Sequence, residues 1–504
     1  MPAPFSPPAA AADLLRWPVV GRLLRARHIR TVAQTALLIV AIAIVAHGLL
    51  GPDLAPKNLA TVLTWIHYRG LLIGALLAIG NLFCGACPMI LVRDLGRRLH
   101  RPTRSWPRWL RRKWVALGLF VAVLFAYELF DLWSWPAATA WLVVGYFGAA
   151  LLVDLTFTGA TFCKFVCPVG QFNFVASTLS PLEVGVREVA MCHSCTTVDC
   201  IKGRAAAPDL KVGLATGGAT AGGAVVPAGP TGVAQRGCEL ALFQPLKVGN
   251  LDCTFCLDCV QACPHDNVAI RVRVPGEELA DDRRRSSIGR LSKRTDLAAL
   301  ALVFTFSALL NAFAMTGPVY ATEAWLARAI GTTHEAPVLA LVFVAGLGLL
   351  PLGLVGGAAA LTRRLARSPL GVREIAVRYA YAFVPFGVGV WLAHYGFHFL
   401  TGVGTVVPVT QSAVIDATGT ALLGHPDWRW LGMRPGAVFP LQLGVVLLGA
   451  MGSLVLAHRV SERDHPGGPM RASAPWMLAI IAVALLALWI LAQPMEMRGT
   501  GLGG

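Results

Sequence analysis

Apolar positions along the chain gather into nine runs, each near the roughly 20 residues a helix needs to cross a bilayer. They cover 32–52, 70–92, 114–133, 138–162, 296–316, 336–360, 378–400, 437–457 and 474–494. Few charges interrupt them, which argues against nine amphipathic helices of a soluble core. The pattern predicts a mainly α, polytopic membrane protein of about nine transmembrane helices. Between the fourth and fifth runs lies a longer, more polar stretch with turn residues, 163–295. It predicts a small α+β domain inserted into the helical frame.

Composition agrees. Of 504 residues, 56% are hydrophobic and 14% charged, whereas a soluble domain carries about 25% charged residues. The net charge of +16 would suit a nucleic-acid binder, but its distribution points elsewhere. If the N-terminus is cytoplasmic, 37 of the 43 Lys and Arg fall on the cytoplasmic side. Lys57, Arg69, Arg328, Arg429, Arg434 and Arg498 fall on the other. That bias marks an inner-membrane protein with its N-terminus inside and its C-terminus outside. Nucleic acid is not an expected partner. The first apolar run is long enough to stay as an anchor rather than be cleaved. The expected organisation is a basic segment (1–31), four helices (32–162), the inserted domain (163–295), five helices (296–494) and an outer tail (495–504).

All twelve cysteines lie between residues 84 and 263. The run Cys253-x2-Cys256-x2-Cys259-x3-Cys263-Pro264 has the spacing that wraps an iron–sulfur cube. In two-cluster ferredoxins the fourth cysteine of such a run ligates the other cluster. Zinc sites rarely use four cysteines in this pattern. Upstream stand Cys192-x2-Cys195-x4-Cys200 and a lone Cys238. The crossing rule assigns Cys192, Cys195, Cys200 and Cys263 to one [4Fe–4S] cluster. Cys238, Cys253, Cys256 and Cys259 fall to the other. Between Cys200 and Cys238, the stretch 203–237 holds nine glycines and reads as a flexible insertion.

Cys84-Gly-Ala-Cys87-Pro88 closes the second run and Cys163-Lys-Phe-Val-Cys167-Pro168 follows the fourth. Both fall on the cytoplasmic side. Proline after each second cysteine takes the chain out of its helix. These four thiols are either a third centre, iron–sulfur or copper, or reduced thiols or a redox-active disulfide pair.

Two Cys-Pro motifs at membrane-helix ends, followed by a two-cluster ferredoxin pattern, resemble the NapH/NosR/CcoG group of membrane-anchored polyferredoxins. The likeness covers about 30–295, with 163–267 its most specific part. It implies electron transfer linked to the quinone pool or to a periplasmic redox partner, with the eight ferredoxin cysteines as cluster ligands. The chain departs from the group in three places. Its first motif is C-x2-C-P rather than C-x3-C-P. It carries the glycine-rich insertion. Five helices follow where the CcoG branch has an immunoglobulin-like domain.

The C-terminal helices hold no cysteine, but His394 and His398 lie four residues apart on one helix face. Intramembrane ionisable residues are candidates for function. These could serve haem b, copper, quinol or proton transfer, or be hydrogen-bonded interfacial histidines. One helix cannot supply both axial ligands of a haem, so His47 is the candidate second ligand. Asp154, inside the fourth run, is a candidate proton-path residue or a partner of Asn81. Glu128 and Asp131 read as interfacial. No Walker or Rossmann motif occurs. The function expected is electron transfer between cytoplasmic clusters and quinone or a membrane partner. The alternatives are a metal-reducing assembly factor for an oxidoreductase and a redox-coupled transporter.

Overall fold

The structure is a computed structural model that describes residues 13–26, 28–204 and 234–495. Most of the glycine-rich insertion thus lies outside the described residues. Among the described residues, eight helical segments are long and apolar enough to cross a membrane. They are Ile29–Leu50, Leu59–Ile79, Pro136–Thr156, Thr295–Phe313, Glu335–Leu365, Val372–Thr418, Pro435–Asp464 and Pro469–Leu491. Trp114–Leu129 is apolar but shorter. The chain is therefore a mainly helical protein suited to a lipid bilayer.

Position within the bundle follows from burial. The Thr295–Phe313 window is 78% buried, whereas that of Ile29–Leu50 is 11% buried. The first helix is peripheral and the fifth run is central. Against the latter pack Val384–Gly402 and Pro469–Leu491, and Pro435–Asp464 packs in turn on both of these. One continuous core joins Phe304, Trp391 and Trp476 of these helices to Phe255, Cys253 and Cys259 of the inserted region.

Among its described residues, the inserted region contains one two-stranded antiparallel sheet. β1 (Leu182–Val186) pairs with β2 (Val268–Val272), Leu182 facing Val272 and Val186 facing Val268. The short helices Val189–Ser194 and Asp199–Lys202 follow β1, and Asp258–Ala262 precedes β2. The N-terminal segment reaches this region: Arg187 bonds Asp13 (2.7 Å), Arg25 bonds Asp266 (2.8 Å) and Arg30 bonds Asp258 (2.7 Å).

One boundary differs markedly from the sequence expectation. The second crossing is Leu59–Ile79, not 70–92. Gly80, at φ +74°, ends it, and a new helix, Pro88–Leu99, begins after Cys87. Hydropathy ran on through the turn because Leu82, Phe83, Met89 and Ile90 are apolar. It also understated 59–69, whose Thr61 and His67 are buried. The shift moves Arg69 from an outer loop into the span.

Candidate functional site

The twelve cysteines form three sets of four. Cys192, Cys195, Cys200 and Cys263 line one cavity, together with Val186, Met191, Phe243 and Asn267. Asn267 joins its two halves. Its backbone N–H donates to Cys263 Sγ (3.3 Å) and its Nδ2 to Cys192 Sγ (3.2 Å). Residues 71 positions apart are thus tied through one side chain. Burial, then the nearby Cys263 charge, pushes the Cys200 thiol up to about 11.

Cys238, Cys253 and Cys256 lie within electrostatic reach of Cys259. The loop that carries three of these is wound tightly, with Phe255 and Leu257 at positive φ (52° and 61°). Val198 takes the same conformation (φ 55°) between Cys195 and Cys200. Left-handed backbone is costly for such side chains, and here it turns backbone N–H groups toward sulfur, as at Cys195 and Cys256. The two sets adjoin: Cys238 N–H donates to Cys200 O (2.9 Å).

Cys84, Cys87, Cys163 and Cys167 form the third set. Cys167 senses Cys84 and Cys87, and Cys163 senses Cys167 and Cys87. Here the prolines do two jobs. They hold Cys87 and Cys167 extended, and they start the helices Pro88–Leu99 and Pro168–Ala176, so each cysteine is an N-cap. Gly170 N–H donates to Cys167 Sγ (3.2 Å). Met89 and Ile90 N–H groups face Cys87. A helix N-terminus favours an anionic sulfur. Asn173 Nδ2 donates to Cys84 Sγ (3.2 Å); burial nonetheless pushes that thiol up to about 12.

The second and third sets are in contact. Cys84 and Cys253 sense one another. Asn81 Nδ2 donates to Cys253 O (3.0 Å). Gly80 and Gly85 press against Phe255, where an added Cβ would stand 2.6 Å from its ring and 2.9 Å from its carbonyl oxygen. Only glycine permits that approach.

Buried cations surround the sulfurs, and the sequence did not single them out. Arg93, 2% exposed, meets Asp94 (2.9 Å), Glu239 (2.8 Å) and Asp154 (3.7 Å). Lys113 Nζ meets Asp252 (2.6 Å), next to Cys253, and Lys164 O (2.7 Å), next to Cys163. Arg30 bonds Gly85 O and Asp258. Apart from Asp94, their partners are far away in sequence, so no local signal marks them.

Asp154 is not paired with Asn81. Its Oδ1 accepts from Phe162 N–H (2.8 Å), which fixes the turn that presents Cys163. Glu128 is buried and accepts from Asn311 Nδ2 (2.9 Å). His47 Nδ1 accepts from Leu59 N–H (3.1 Å) and its Nε2 faces Asp416 (3.4 Å), so the structure gives it partners other than His394 and His398. His394 is fully buried beside His398, ring centroids 4.9 Å apart. Near them Arg69 lies over the rings of Trp65, Tyr127 and Tyr395 at 4.2–5.0 Å.

Comparison with family models, curated proteins and solved structures finds no match. Among the described residues, no three His, Cys, Asp or Glu side chains gather closely enough to hold one metal ion.

Proposed function

We propose that the chain is a membrane iron–sulfur electron-transfer protein. Cys192, Cys195, Cys200 and Cys263 hold one [4Fe–4S] cluster in an inserted ferredoxin-like domain. Cys238, Cys253, Cys256 and Cys259 hold a second. Cys84, Cys87, Cys163 and Cys167 hold a third centre, iron–sulfur or copper, at the membrane face. The observation that carries this reading is the single cavity lined by Cys263 and the three upstream cysteines. It matches the crossing expected of a two-cluster run.

Bound clusters supply one-electron storage. The chain's own residues position and tune them. Backbone N–H groups, Asn267 and Asn173 donate to sulfur. Arg93 and Arg30 place positive charge beside Cys87, Cys163 and Cys256, where low dielectric makes it count. The docking of Gly80 and Gly85 on Phe255 keeps the second and third sets adjacent.

In this reading Trp114–Leu129 is the ninth crossing. The protein lies in an inner membrane with the cysteines at the cytoplasmic face, and electrons pass to or from quinone or a membrane partner. The test is reduction by dithionite of the full-length protein in proteoliposomes, followed by quinone. Bleached cluster absorbance that recovers on quinone addition supports the reading. Intact clusters with no recovery remove the quinone link. A protein without iron removes the whole proposal.

A further inference from the structure

An apolar cavity opens beside the inserted region. Its volume is about 470 Å³, and it lies between Val384–Gly402, Pro435–Asp464 and the segment 274–277 that follows β2. Glycine makes the room. Gly389 and Gly449 meet backbone to backbone, and a Cβ added to Gly389 would stand 3.3 Å from Gly449 Cα. Neither they nor Gly452 put a side chain into the space beside that crossing. The outer wall is Leu448, Met451 and Val455, exposed apolar side chains of a helix suited to the bilayer. A ligand dissolved in lipid can therefore enter from the side.

The end of the cavity nearest the inserted region is charged. Arg459 and Glu277 line it, within electrostatic reach of one another. Neither side chain makes a hydrogen bond or a close ion pair with another described residue. The charges around Glu277 are already paired, Glu183 with Arg271 (2.6 Å) and Glu278 with Arg273 (3.2 Å). A guanidinium and a carboxylate thus face an apolar cavity with no protein partner. Small-molecule sites have this make-up: about 300–1,000 Å³, mostly apolar, with a few converging polar groups.

The two opposite charges select the head group. A lipid phosphate on Arg459 would face the Glu277 carboxylate, a repulsion strengthened by the apolar surroundings. A wholly apolar chain would use neither group. A neutral ring fits both: a carbonyl oxygen accepts from Arg459, and the hydroxyl of the reduced form donates to Glu277. The place suits a redox ligand. Leu392, in the wall, follows Trp391, whose ring packs on Phe172 (5.3 Å), and the adjacent Asn173 donates to Cys84. Glu278, next to Glu277, accepts from Asn250 N–H (2.9 Å), three residues before Cys253. We propose that this cavity binds a lipid-soluble quinone, its ring between Arg459 and Glu277. Its tail runs along Val455 and Leu448, which share the Arg459 face of their helix. The use of the site, not the binding itself, rests on the electron-transfer reading. Reduction of the ring takes two electrons, one at a time from reduced cysteine centres, and two protons from water at the exposed Arg459 end; oxidation of the quinol reverses this.

The test is equilibrium binding of a decyl-tailed benzoquinone to the full-length protein in phosphatidylcholine nanodiscs, with an azido derivative to map the contact by mass spectrometry. The expected result is a single saturable site per chain, labelled on the helices that line the cavity. Arg459→Gln should weaken binding at least about tenfold, the loss expected when a charged donor is removed. Val455→Trp, at an exposed position, should fill the cavity and weaken binding as much. Exposed Arg364→Gln should bind as the wild type does. A wild-type chain that binds no quinone overturns the proposal, as does binding unchanged in both variants or label confined to other helices. Displacement of the quinone by added phosphatidylglycerol, lost with Arg459→Gln, also overturns it, because a lipid phosphate is then the occupant. If Val455→Trp fails to fold, Arg459→Gln decides. Quinone bound here by a protein without iron, or by one whose clusters it does not reoxidise, supports the site and removes the electron-transfer reading.

Discussion

Replacing Asn267 with Leu tests the crossed cysteine set through one side chain. The substitution keeps the branched shape and removes the Nδ2 donor to Cys192 Sγ (3.2 Å). The backbone donor to Cys263 Sγ remains. Two further bonds are lost, Nδ2 to Glu188 O (2.7 Å) and Glu188 N–H to Oδ1 (2.9 Å). Glu188 is exposed, so water replaces them. The stability cost is then modest, about 1 kcal/mol for each lost bond. A hydrogen bond to a charged group contributes about 1.5–3 kcal/mol. An added electron spreads over the cluster and its thiolates, so roughly a quarter to a half of that changes on reduction, about 0.4–1.5 kcal/mol. At about 59 mV per tenfold change for one electron, the potential falls by roughly 20–65 mV. The sign follows because the lost donor favoured the more negative, reduced state. The assay is an EPR-monitored redox titration of the intact protein in detergent. One cluster should shift downward while the others stay. An equal shift in all centres, or none at full iron content, refutes the reasoning.

Arg93→Leu leaves buried Asp154 without its ion pair, while Asp94 and Glu239 keep Arg236 and Arg97, so the cost stays at the low end of the about 3–5 kcal/mol for breaking a buried pair. Thermal unfolding should show a clear drop in Tm. Lys113→Met should cost a similar amount by leaving Asp252 buried and unpaired, and Lys113→Met/Asp252→Asn should recover much of it in the same assay. Gly80→Ala meets both a positive φ and the Phe255 ring, so the Cys84 turn should detach from the Cys253 loop. Faster hydrogen exchange at residues 82–87, with the β1–β2 sheet unchanged, would show it.

Helical character was legible because apolar runs of about 20 residues are a composition signal. Boundaries were less so. Gly80 and Asn81 break the second run, but the apolar residues beyond them hid the break. Arg69 and His67 looked like loop residues until Tyr127, Tyr395 and Val403 were seen to surround them. The expected grouping of the cysteines rests on spacing, because short loops constrain where neighbouring sulfurs can point. Asn267, Asn173, Arg93 and Lys113 carried no such signal, since each acts on residues brought near only by folding. Asp154 stood out as an intramembrane acid, but its partner, the Phe162 N–H, belongs to a turn that the pattern of apolar positions does not reveal.

The central claim is that three sets of four cysteines hold redox centres, one of them crossed. Mössbauer spectroscopy of ⁵⁷Fe-enriched full-length protein, beside Cys263→Ser, tests it most directly. The account predicts [4Fe–4S] spectra in the wild-type chain, and in Cys263→Ser the loss or conversion of only the cluster that Cys192→Ser also affects. A zinc-loaded protein without iron contradicts the account, and so does a Cys263→Ser spectrum that matches Cys256→Ser instead.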